Sequence, residues 1–301
     1  MKLPTLIQIT ALVSVLLWTG NPVPAASPRD GTPPIHPGNT YQAADLDTFP
    51  EGTDTLDIFL LLGQSNMKGR GEIPSTQHDD PRIVMMHLQD NQWYLAHHPL
   101  HLASEADRRG GSENAGVGPG LDFARKIAAQ YPHSRIGLVP GAVSGSGIDL
   151  WVKGGALYEA AMKRAKLALA QGPAGHTRLR GILWMQGERD ARGETAYLTY
   201  QEKLDRMIHD MREELGQPTL PFIASTVGPV LETEQMKQRY PHRSQINAIL
   251  LALPARAPFA TCIDARDLTG HIGDALHYNT PAQQEIGRRM AAAWLTLVNS
   301  K

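Results

Sequence analysis

Several short stretches of the chain combine residue types that acyl-transfer chemistry needs. In GQSNMKGRGEIP, Ser65 stands three residues beyond the apolar run DIFLLL, and Gly63, Gly69 and Gly71 allow a tight backbone path around it. A serine hydroxyl attacks a carbonyl only when a base removes its proton, so Ser65 as a nucleophile requires a histidine and usually a carboxylate to orient it. A glycine-flanked serine is also what an ordinary turn contains. The nearest match to a base lies in HIGDALHYNTPAQQEIG, where Asp274 and His277 are three apart. The carboxylate could accept from the imidazole Nδ1 and leave Nε2 for Ser65. With 12 histidines in the chain, about one such pair is expected by chance, so its position is the stronger argument.

Developing charge on the attacked oxygen needs donors. WMQGERDA puts Gln186 and Gly187 at the end of another apolar run, and the Gln186 side-chain amide could donate to an oxyanion. One such donor is worth about 3 to 4 kcal/mol of transition-state stabilisation, so several are expected. The backbone N–H groups of Ser65 and of Gly118, in AGVGPGLDFA, are the other candidates. Gly118 precedes Pro119, which suits a first helical turn, so an amide there can face an anion; a plain helix-entry loop fits the same residues.

These stretches need a scaffold. Short apolar runs at 57 to 62, 82 to 87, 135 to 140, 181 to 186, 221 to 227 and 261 to 264 read as strands. They alternate with helically spaced segments at 119 to 131, 155 to 171, 194 to 215, 235 to 253 and 280 to 297. Near-continuous apolar strands separated by helices predict a central parallel sheet covered on both faces, in one three-layer α/β/α domain over 49–301. In such sheets the site lies beyond the carboxyl ends of the strands, which is where Ser65 and Gln186 fall.

Composition excludes some partners. A formal charge of −1 over 301 residues, with no long Lys/Arg run, argues against nucleic acid or an anionic membrane surface. At the start, Lys2 precedes an apolar run from Leu6 to Trp18 and then small residues, as in a secretory signal over 1–26 cut near Ala25 or Ala26. That run is shorter than the roughly 20 residues of a spanning helix, so no stable membrane insertion is expected after cleavage, and the product would be secreted or periplasmic. Residues 27–48, rich in Pro, Gly, Ser and Asp, read as a flexible leader. The lone cysteine, Cys262, reads as a small core residue. His97, His98 and His101 lack the carboxylate or cysteine partners of a zinc site and read as polar loop histidines.

Taken in order, GQSNMKGRGEIP, AGVGPGLDFA, WMQGERDA and GDALHYN closely resemble the SGNH-hydrolase group that includes sialate O-acetylesterases and the acetylxylan esterases of carbohydrate esterase family six. The similarity runs from about 55 to 295 and implies a flavodoxin-like sheet. It implies Ser65 as nucleophile, His277 as base, Asp274 as its orienter, and Ser65, Gly118 and Gln186 as oxyanion donors. Gln64, Asn66, Glu188 and Trp151 are assigned by it to substrate binding or support of the site. Glu188 is expected to anchor loops near the nucleophile, and Trp151 either edges the sugar site or simply covers the sheet. Arg189 departs from the small residue more usual there, which puts the local hydrogen bonding in doubt and leaves the catalytic set intact. The resemblance implies neither metal nor cofactor.

The expected reaction is removal of O-acetyl groups from a carbohydrate, acetylated xylan or a sialic acid-like glycan, through an acyl-enzyme. A general short-chain esterase or lipase, and a binding protein that has lost catalysis, are the competing readings. An activated serine would give a binder nothing.

Overall fold

The computed structural model describes residues 41–101, 115–229 and 233–300. The expected signal and most of the leader therefore lie outside the described residues. Seven strands form one sheet: β1 (Thr55–Gly63), β2 (Ile83–Met86), β3 (Trp93–Leu95), β4 (Ser134–Pro140), β5 (Thr177–Met185), β6 (Phe222–Ser225) and β7 (Ala260–Ile263). Their order is β3-β2-β4-β1-β5-β6-β7, parallel throughout except for β3. All six strands expected from apolar runs are present. The antiparallel β3 was not expected, because three residues are too few to show a period.

The helices are α1 (Ser65–Lys68), α2 (Gly120–Gln130), α3 (Ala156–Gln171), α4 (Tyr200–Glu214), α5 (Glu234–Arg239), α6 (Arg243–Leu251) and α7 (Thr280–Asn299). The segment expected as one helix over 235 to 253 is split at Pro241. Proline lacks the N–H that a continuing helix needs, and it disfavours the helical region for the residue before it; Tyr240 accordingly has φ −133° and ψ 61°. α4 also starts later than the pattern suggested, after a short 3₁₀ turn over Ala196–Thr199.

Side chains of β1 alternate between two apolar layers. Leu56, Ile58, Leu60 and Leu62 pack with Tyr158 and Met162 of α3, Leu204 and Met207 of α4, and Ile246 of α6. Phe59 and Leu61 pack with Phe123 and Ile127 of α2 and with Ile286, Met290 and Trp294 of α7. Burial on both faces is why the strand is apolar at nearly every position rather than at every second one.

The leader does not extend to residue 48. Tyr41 and Leu46 are buried, Ala44 N–H donates to Trp93 O, Leu95 N–H donates to Gln42 O, and Arg135 holds the Asp45 and Thr48 carbonyls. Polar composition suggested a solvated segment, but these residues gain backbone partners along the edge of the sheet. Nor are the 97–101 histidines an ordinary polar loop. His97 stacks on Tyr41 with ring centroids 4.3 Å apart, and burial pushes both His98 and His101 down to about 3. Cys262 is half-buried, its thiol pushed up to about 12 by burial. No helix among the described residues is long and apolar enough to cross a membrane.

Candidate active site

β1 is the central strand, and the chain leaves it first toward β2–β4 and later toward β5–β7, so its carboxyl end is a switch point of the sheet. There Gly63 has φ +128°, and a Cβ on it would stand 2.1 Å from the Met185 carbonyl oxygen. Only glycine lets β1 close on β5 and then turn. Gln64 N–H donates to Met185 O, and the next residue, Ser65, opens α1.

His277 arrives on the loop between β7 and α7. Asp274 organises that loop: its Oδ1 accepts from the N–H groups of Leu276 (3.0 Å) and His277 (2.9 Å), while its Oδ2 lies 2.5 Å from His277 Nδ1. His277 Nε2 lies 2.9 Å from Ser65 Oγ. A carboxylate at Nδ1 requires a proton there, which leaves Nε2 as the acceptor of the serine proton. Burial holds His277 below the ordinary histidine range, with Arg70 and Arg239 pushing the same way and Asp274 opposing. For Asp274 burial works against the charge, but the hydrogen bonds from His277 and Leu276 outweigh it and keep the carboxyl below its usual range. At neutral pH the imidazole is therefore an unprotonated base beside an ionised orienter.

Gly118 lies against the serine's turn, where a Cβ would come within 2.9 Å of Met67 O and 3.2 Å of the Gly69 Cα. Gln186, in contrast, is not where an oxyanion donor must be. It is fully buried, and its amide nitrogen donates to Ser146 O (2.9 Å) and Asp190 Oδ2 (2.5 Å). The amide cannot be turned round, because its oxygen would then face the Asp190 carboxylate. Both hydrogens are thus spent inside the protein. Gln64, by contrast, lines the cleft beside Ser65, and its Oε1 faces the N–H groups of Gly187 and Arg189, at 3.4 Å each.

Trp151 does not edge the sugar site either. It is fully buried, donates from Nε1 to Ser146 Oγ and packs edge-on against Trp184. Asn66 is buried and hydrogen-bonds Glu188, Gly228 O and Leu276 O. Glu188 is buried too, and burial pushes its carboxyl up to about 7. Asp190 is also raised by burial, with the hydrogen bonds from Gln186 and Ile148 N–H opposing.

The cleft at Ser65 and His277 has a volume of about 240 Å³. Arg70, Arg189, Arg192 and Arg239 line it. The Arg192 and Arg239 guanidinium carbons stand 4.8 and 5.5 Å from the Tyr240 ring centre. Apart from Arg189, none of these arginines stood out in the sequence, since they come from three separate segments with no common spacing. Elsewhere, His209, Asp210 and Glu213 on α4 are the group of potential metal ligands among the described residues.

Comparison with known proteins identifies the family. Residues 55–296 match the family described as carbohydrate esterase, sialic acid-specific acetylesterase. A probable carbohydrate esterase of Arabidopsis thaliana is 30% identical over 258 residues, covering 79% of this chain and 90% of the relative. The crystal structure of that Arabidopsis protein has a TM-score of 0.68 at 28% identity, covering 80% of this chain and 98% of its own. The crystal structure of NanS gives 0.64 at 18% identity, covering 83% and 99%, a likeness of fold. The fold is the expected three-layer α/β/α fold, and the chain belongs to the sialic acid-specific acetylesterase family of carbohydrate esterases.

Proposed function

We propose that this member of the carbohydrate esterases removes O-acetyl groups from a sugar by two-step acyl transfer, with Ser65 as nucleophile, His277 as general base and Asp274 as orienter. The observation that carries the reading is the unbroken hydrogen-bond chain from Ser65 Oγ through the imidazole to Asp274, opening on a cleft. His277 takes the serine proton as Oγ attacks the acetyl carbonyl, then gives it to the departing sugar oxygen; water repeats the sequence and releases acetate. The oxyanion is held by the backbone N–H groups of Ser65 and Gly118, without the Gln186 side chain.

The four arginines favour a sugar that carries a carboxylate, as sialic acid does, over neutral xylan, because a guanidinium pairs with a carboxylate through two parallel hydrogen bonds. The composition of residues 1–26 supports export, so that the sugar is met in the periplasm or outside the cell.

Acetate release from O-acetyl sialic acid and from acetylated xylan oligosaccharides, compared between wild type and Ser65→Ala, tests both parts. Release from the acidic sugar that vanishes in the variant is the expected result. Release that persists in Ser65→Ala would remove the nucleophile, and a preference for xylan would remove the role of the arginines.

A further inference from the structure

Asn66 follows the nucleophile, yet its side chain points away from the chemistry and is 1% exposed. Its Oδ1 accepts from the backbone N–H of Tyr278 at 3.2 Å, which fixes the amide, because an N–H offers nothing to Nδ2. Nδ2 then meets three acceptors: Glu188 Oε1 at 2.7 Å, Gly228 O at 3.0 Å and Leu276 O at 3.2 Å. Two of these four contacts belong to the residues immediately before and after His277. The shortest is the one to Glu188, a carboxylate held in place by burial at the end of β5. The nucleophile's own turn is thereby tied to both sides of the base.

We propose that Asn66 and Glu188 are positioning residues for the base: Asn66 holds the peptide units flanking His277, and Glu188 holds Asn66, so that Nε2 stays within reach of Ser65. Neither residue transfers a proton. The proposal rests on the Ser65–His277 reading and adds to it a reason for the acid that follows Gln186 and Gly187. A misplacement of about 1 Å can cost about 100-fold in rate, which is the scale such a brace can control.

The test uses p-nitrophenyl acetate with purified Asn66→Ala, Glu188→Ala, Glu188→Gln and the double alanine variant, each checked for folding by circular dichroism. The expected result is a fall in kcat of about 10- to 100-fold for either alanine variant, with KM changed by less than about threefold. The double variant should be little worse than Asn66→Ala alone, since both break one chain of contacts. Glu188→Gln, which keeps a carbonyl for Asn66, should recover kcat to within about threefold of wild type. Should Glu188→Ala not fold, Glu188→Met fills the same volume without an acceptor.

Wild-type kcat in Glu188→Ala would overturn the proposal. So would a Glu188→Gln variant as slow as Glu188→Ala, which would mean that the charge itself acts. Nitrogen-15 spectra of the His277 ring read the imidazole without turnover: the Nδ1-protonated form should dominate in wild type and lose definition in Glu188→Ala. A wild type with that ring signature but no esterase activity would sink the esterase reading, whereas an unchanged ring signature in Glu188→Ala would sink the brace.

Discussion

The loop that carries His277 and the loop that follows β5 both bring carboxylates to the neighbourhood of Ser65, and they treat them differently. Asp274 is partly exposed and collects two backbone N–H donors and the imidazole, all of which favour its charge. Glu188 and Asp190 are buried and are weaker acids for it, with Glu188 pushed up to about 7. Donors directed at a carboxylate create a permanent charge that can orient a base. Burial creates a carboxyl better suited to fixing neighbours, Asn66 in one case and Gln186 with Ile148 in the other.

The strongest way to break that contrast is Asp274→Asn. An amide cannot hold the Nδ1 proton as a carboxylate does, and kcat/KM on p-nitrophenyl acetate should fall by about 1,000- to 10,000-fold with the fold intact. If Asp190→Asn lost as much, the two loops would share one role. The next effect should be on stability. Asp190→Ala removes the acceptor for the Gln186 amide and the Ile148 N–H, and urea unfolding should register a loss of about 2 to 4 kcal/mol.

The pH profile sharpens the same distinction. Because burial lowers His277, kcat/KM should rise with pH through an inflection below the ordinary value of 6.5 and level off above it. An inflection above 6.5 would mean that Asp274 outweighs burial. The smallest effect concerns Glu188, whose ordinary value of 4.5 rises to about 7 on folding. Between those values the folded state binds more protons than the unfolded one, so stability falls as pH climbs from about 4.5 to about 7 and is level beyond. Glu188→Gln removes this dependence. Its thermal midpoint should gain on wild type over that interval, by an equivalent of at most about 3 kcal/mol.

Much of this architecture was legible in the chain. Strands buried on both faces announce themselves as unbroken apolar runs, and six of the seven did so; β3 is short and pairs at an edge, so it had no run to show. Ser65 could be singled out because a strand end locates it, while Asp274 and His277 were reached through their three-residue spacing together with the resemblance of four ordered blocks. Gln186 was misread for a physical reason. Its position at a strand end is visible in sequence, but the direction of its amide is set by Asp190, four residues on, and by Ser146, forty residues back. For Trp151 the same non-locality kept two readings open, and burial against Trp184 of β5 selects the one in which it covers the sheet. The arginine lining is still less local, assembled from the serine loop, the loop after β5 and α5.

The bridge between residues 42–44 and β3 bears on how the chain can be trimmed. β3 would otherwise present a row of unpaired N–H and C=O groups along the sheet's rim, which is a template for joining one molecule to another. Ala43 opposite Tyr94, with the Ala44 and Leu95 hydrogen bonds on either side, occupies that row. A variant truncated before Tyr41 keeps the rim sealed, whereas one truncated a few residues later would yield an intact serine site on a molecule prone to stack into aggregates.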